Sequence, residues 1–127
     1  MTNSTASRIA AVAGALAVGL GAFGAHGLKG VLLQNQTVAI WEKAVFYHFV
    51  HTVMLFVLAS RVPLRRLAWF SFLIGIVVFS GSLYLLAVTN VRWLGAITPI
   101  GGISFIVGWV CLAVSPSMPS SGTGANT

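Results

Sequence analysis

The stretch AVFYHFVHTVMLFVLAS, residues 44–60, decides the fold: it holds no Asp, Glu, Lys or Arg, yet carries two histidines, His48 and His51, three residues apart. Its meaning depends on the solvent around it, and composition names that solvent. The chain has 127 residues, 57% hydrophobic and 6% charged, with a mean hydropathy of +0.97. A soluble domain carries about 25% charged residues. So few charges cannot cover a water-facing surface, and lipid must cover most of the chain.

Outward from this stretch, four apolar runs are each long enough to cross a hydrocarbon core, which takes roughly 20 helical residues. They span about 7–27, 38–60, 67–88 and 93–114. Barrel strands alternate in polarity and are only about ten residues long, so the runs predict an all-α, integral membrane four-helix bundle. Residues 1–114 form one domain, and the Ser/Pro/Gly-rich end, 115–127, predicts a disordered tail. The apolar part of the first run, 9–25, exceeds the roughly 7–15 residues of a signal-peptide core, so it is expected to remain as a span.

The connections are short. RVPLRR (61–66) turns the chain, and TNVR (89–92) makes a tight hairpin that predicts antiparallel packing of the third and fourth spans. LKGVLLQNQT (28–37) mixes Leu28, Val31 and Leu32 with Gln34, Asn35 and Gln36. It predicts a short interfacial segment, with Asn35 or Thr37 capping the next helix. The net charge of +6 comes from seven Lys/Arg against one acid, Glu42. The basic residues sit singly at the ends of apolar runs, where they meet lipid headgroups; nucleic acid would need them clustered. Arg8, Arg61, Arg65 and Arg66 fall on one side of the membrane and Lys29, Lys43 and Arg92 on the other. The positive-inside rule then places both termini in the cytoplasm.

Helices in lipid associate through close packing and hydrogen bonds. Ala13, Ala17, Gly21 and Ala25 recur every four residues and predict a helix–helix seam on the first span, with Gly102 and Gly108 serving the fourth. Ser80, Ser82 and Tyr84 are expected to hydrogen-bond across the bundle. Pro99 falls inside the fourth run and is expected to kink it, its freed carbonyl satisfied by a neighbour; broken helices lining a transport site are the alternative.

His48 and His51 are about 60° apart on a helix, with Tyr47 one turn before His51. Ionisable groups inside a membrane are functional candidates by default. The chain offers no complete ligand set: His26 ends the first span, Glu42 points away from both histidines, and Cys111 is alone in an apolar run. No cofactor, metal or catalytic set is therefore expected, and the imidazoles are expected to bond to Ser80, Ser82, Tyr84 or a freed carbonyl. Glu42 is expected at the N-terminus of the second span, where the helix dipole favours it. Trp41 and Trp93 are expected in the aromatic belt.

The motifs GAFGAHGL (21–28), WEKAVFYHFVH (41–51), FSGSLYLLA (79–87) and TPIGGISFIVGW (98–109) resemble, in order and spacing, the small four-span membrane family of domain of unknown function 423, whose eukaryotic relative is transmembrane protein 256. The resemblance implies a bacterial inner-membrane protein in which His26 and His51 match histidines of the family pattern. His48 stands where relatives often carry another polar residue, and Lys43 where they carry a small polar one. The family has no established activity. The functional expectation is a non-enzymatic accessory or stabilising subunit that packs against other membrane proteins or itself. The alternatives are a small transporter or channel component, or a subunit lending a histidine to a shared cofactor site.

Overall fold

The computed structural model describes residues 1–116, so the expected disordered tail lies outside the described residues from position 117 onward. Among the described residues six α-helices form: α1 (Asn3–Ala25), α2 (Lys29–Asn35), α3 (Val38–Ala59), α4 (Arg66–Gly75), α5 (Gly81–Thr89) and α6 (Thr98–Ala113). A π-helical turn, Ile76–Ser80, joins α4 to α5 as one continuous third span, and a 3-10 turn, Arg92–Ala96, leads into α6. Among the described residues, four helical stretches are long and apolar enough to cross a membrane: Asn3–Ala25, Val38–Ala59, Arg66–Thr89 and Arg92–Ala113. This is the predicted bundle, with α2 as the short segment between its first two spans.

The order of packing follows the chain. α1 lies against α3, α3 also touches α4, the π turn and α5, and α6 lies against α4 and the π turn. The two middle spans are therefore interior, 39% and 44% of their most apolar windows being buried against 17% for each outer span.

The α1–α3 seam is made of small residues, as predicted, but on a shifted line. Ala6, Ala10, Ala13 and Ala17 are buried, whereas Ala25 is exposed. A strict four-residue step drifts by roughly 40° each time on a 3.6-residue helix, so the row from Ala13 leaves the interface before Ala25. Gly24 takes over: a Cβ there would stand 2.2 Å from Trp41 Nε1, while one at Gly21 would meet Val45 Cγ1 at 3.4 Å. Trp41 accordingly leaves the expected aromatic belt. It is 4% exposed, and its indole donates to the Leu20 carbonyl at 2.9 Å. Trp93, 67% exposed, stays on the outside.

Between the third and fourth spans, glycine and phenylalanine interlock in both directions. A Cβ on Gly75 would lie 2.3 Å from the Phe105 ring, and one on Gly108 2.5 Å from the Phe72 ring. Gly101, rather than the expected Gly102, sits on the backbone of the π turn, where a Cβ would be 2.3 Å from Phe79 N. At Gly102 it would make only ordinary contact with the Phe79 ring, at 3.8 Å. Pro99 does not kink a helix. It occupies the first turn of α6, where its missing N–H has no intrahelical acceptor to lose.

Both ends of the bundle are tied by side chains to backbone carbonyls. At one end Asn3 Nδ2 donates to the carbonyls of Ala59 and Arg61, and Arg66 donates to Met1 O. At the other, Asn35 and Thr37 do not cap α3 with their side chains. Asn35 Nδ2 donates to Ala87 O and Val88 O, both at 3.0 Å, and Thr37 Oγ1 donates to Ala87 O at 2.7 Å. These are last-turn carbonyls of α5, which no intrahelical N–H satisfies. Arg92 in turn donates to Asn35 O.

Candidate functional site

The polar side chains inside the membrane collect along the inner face of α3 and the third span. His48 and His51 are 5% and 4% exposed, on the same face as predicted, but they meet different partners. His48 Nδ1 is 2.9 Å from the Tyr84 hydroxyl, and the Tyr84 ring leans on Trp41 with centroids 4.7 Å apart.

His51 is held at both ring nitrogens. Nδ1 is 2.7 Å from the carbonyl of Tyr47, one turn back on α3. The Trp109 indole N–H of α6 donates to Nε2 at 3.1 Å. A carbonyl can only accept and an indole can only donate, so this network assigns His51 as the neutral imidazole with its proton on Nδ1. Its ring stacks on Phe105 with centroids 3.7 Å apart and planes 12° from parallel. Phe72 and Trp109 close the other edges at 5.4 and 5.9 Å. The space between α3 and α6 at this depth is filled by aromatic side chains, and neither nitrogen of His51 is left for a metal unless Trp109 or the helix turn moves.

The hydroxyls span helix boundaries. Ser80, fully buried at the end of the π turn, donates to Ala44 O of α3 at 2.8 Å. Ser82 donates to Phe79 O and lies 2.7 Å from Thr98 Oγ1. Ser104 of α6 donates to Ser71 O at 2.7 Å. Neither histidine bonds to a serine; the serines serve helix carbonyls instead. Thr52 Oγ1 is the buried side-chain polar atom without a partner among the described residues.

The remaining candidates stand apart. His26 is exposed and ends α1 with its backbone N–H on the carbonyls of Ala22 and Phe23. Tyr47 is 37% exposed, its ring against Phe79 at 4.6 Å; its contribution to the polar face is its carbonyl. Glu42 is exposed and sits in the second turn of α3, within the expected first two turns but past the first, which contains no acid and where the helix dipole acts most strongly. Among the described residues no three His, Cys, Asp or Glu side chains gather at metal-binding distance. The sequence reading missed the Trp109–His51 bond and the π turn. The first joins residues 58 apart, and the second has no local composition of its own.

Four apolar spans joined by short connections, with their polar side chains turned inward, define a small multi-pass α-helical membrane protein. Within that class the chain belongs to the family described as protein of unknown function DUF423, which matches residues 20–102. It is 50% identical over 105 residues to a UPF0382 membrane protein of Staphylococcus epidermidis, covering 79% of this chain and 84% of the relative. Another from Staphylococcus haemolyticus is 48% identical with the same coverage. The UPF0382 membrane protein YwdK of Bacillus subtilis is 44% identical over 114 residues, covering 84% of this chain and 91% of the relative. No solved structure matches the chain.

Proposed function

We propose that the protein is a non-enzymatic accessory subunit of the bacterial inner membrane, packing against other membrane proteins, with both termini in the cytoplasm. The observation that supports this most is where the polar groups go: His48, His51, Ser80 and Ser82 are buried and bonded within the chain. No nucleophile–base pair is presented to a substrate by that arrangement. The outer spans meanwhile offer apolar faces, such as Ile100, Ile103 and Ile106 on α6, to whatever lies beside them. A transporter or channel reading needs a polar passage between α3 and α6, the place where Phe105 and His51 stack.

Extraction in mild detergent followed by native mass measurement and identification of co-purifying proteins tests the proposal. The expected result is a complex with other membrane proteins or further copies; a lone monomer in every detergent overturns it. The topology has its own test. Single cysteines at Ser4 and at Thr89, in a Cys111→Ser background, should be labelled by an impermeant thiol reagent from the cytoplasmic and outer sides respectively.

A further inference from the structure

A large recess lies outside the histidine region, between the C-terminal half of α1, α2 and the N-terminal half of α3. It has a volume of about 690 Å³, inside the range of small-molecule sites, about 300–1,000 Å³. Gly21, Gly24 and Ala25 of α1 form one wall, and Phe46, Phe49 and Val50 of α3 are part of the other. At the two glycines α3 closes in, Val45 facing Gly21 and Trp41 facing Gly24, so the recess opens beside that close contact, along the exposed Ala25 and the rings of Phe46 and Phe49. Two charged residues also line it, Lys29 at the start of α2 and Glu42 on α3. Both side chains are exposed, and Glu42 is the only acidic residue in the sequence.

The recess thus combines a hydrocarbon-lined length with one cation and one anion at the end where α2 meets the spans. An exposed carboxylate and an exposed ammonium at the mouth of an apolar groove suit a ligand that is apolar along its length and bears both signs of charge at its head. We propose that this groove is a binding site for a phospholipid with a phosphoethanolamine headgroup. One acyl chain lies along the glycine wall, Lys29 Nζ donates to the phosphate, and Glu42 accepts from the primary ammonium. A choline head has no N–H to offer the carboxylate, and an anionic glycerol head offers it only neutral hydroxyl donors, with no cation to balance the charges of Glu42 and the phosphate. The charge pair selects the head, and the groove holds the chain.

The full-length protein in mild detergent, incubated with an equimolar mixture of phosphatidylethanolamine, phosphatidylcholine and phosphatidylglycerol, is read by native mass spectrometry. The expected spectrum shows one bound phosphatidylethanolamine per chain, favoured about tenfold over either competitor, equivalent to ~1.4 kcal/mol. Glu42→Gln should bring phosphatidylethanolamine down to the level of phosphatidylcholine, and Lys29→Met should weaken both. Ala25→Leu, at an exposed wall position, should remove the bound lipid while far-ultraviolet dichroism retains its helical signal. If Ala25→Leu fails to fold, the two exposed charge variants still decide the matter. Equal retention of the three lipids, preference for the anionic one, or a second copy of the chain cross-linked into the groove overturns the proposal.

Discussion

A buried histidine in a membrane helix is read first as a ligand or a proton carrier, and at His51 the geometry gives it another task. Its two nitrogens join α3 to itself and to α6, through Tyr47 O and Trp109 Nε1. Trp109→Phe keeps an aromatic ring but strands the Nε2 lone pair, and should cost about 1–3 kcal/mol of bundle stability, measured by unfolding in mixed micelles. An unchanged stability would mean the bond carries nothing. Tyr84→Phe removes the hydroxyl partner of His48 and should cost less, about 0.6 kcal/mol and no more than ~1.7. The sequence made the imidazoles visible and their polar neighbours predictable in kind. Which hydroxyl met which ring was not readable, because the choice between Ser80, Ser82 and Tyr84 depends on the turn of the third span about its own axis.

At the scale of elements, the existence of four spans was legible from apolar length alone, since lipid demands it. Their irregularities were not. The run 93–114 looks uniformly helical by composition, yet its first turn is 3-10 and α6 starts at Thr98, which turns Pro99 from an expected kink into a helix start. The π turn changes the facing of everything after Ile76, and Gly101 is the residue that lets α6 approach it. Gly101→Ala should prevent that approach and destabilise the protein by about 1–3 kcal/mol, the usual cost of overpacking. Gly81→Ala, where a Cβ meets nothing within 4 Å, should be neutral or slightly stabilising. Equal effects from the two would mean that the contact between α6 and the π turn is not close. Thr37 stands at the N-cap position of α3 as expected, but its side chain and that of Asn35 serve the end of α5 instead, because nothing local shows that this end comes to rest beside them. Asn35→Ala should therefore speed amide exchange in α2 and at the end of α5 together, rather than at the start of α3.

Taken whole, the molecule is two interior spans flanked by two outer ones, with the buried side chains of His48, His51, Ser80 and Ser82 bonded within the bundle, that of Thr52 without a partner among the described residues, and a mixed-charge groove at the α2 end. Family membership adds bacterial membrane relatives without an activity, so the physical question is whether the polar interior is cohesive or chemical. The assignment of His51 decides it. Nitrogen-15 magnetic resonance of histidine-labelled protein in lipid bilayers reads the protonation of each ring nitrogen, with Trp109→Phe identifying the His51 signals. The account predicts a neutral ring protonated at Nδ1, with a bare Nε2 coupled to the Trp109 indole proton. A ring protonated at Nε2, or one whose Nε2 is bound to a metal or haem in the purified protein, would contradict it.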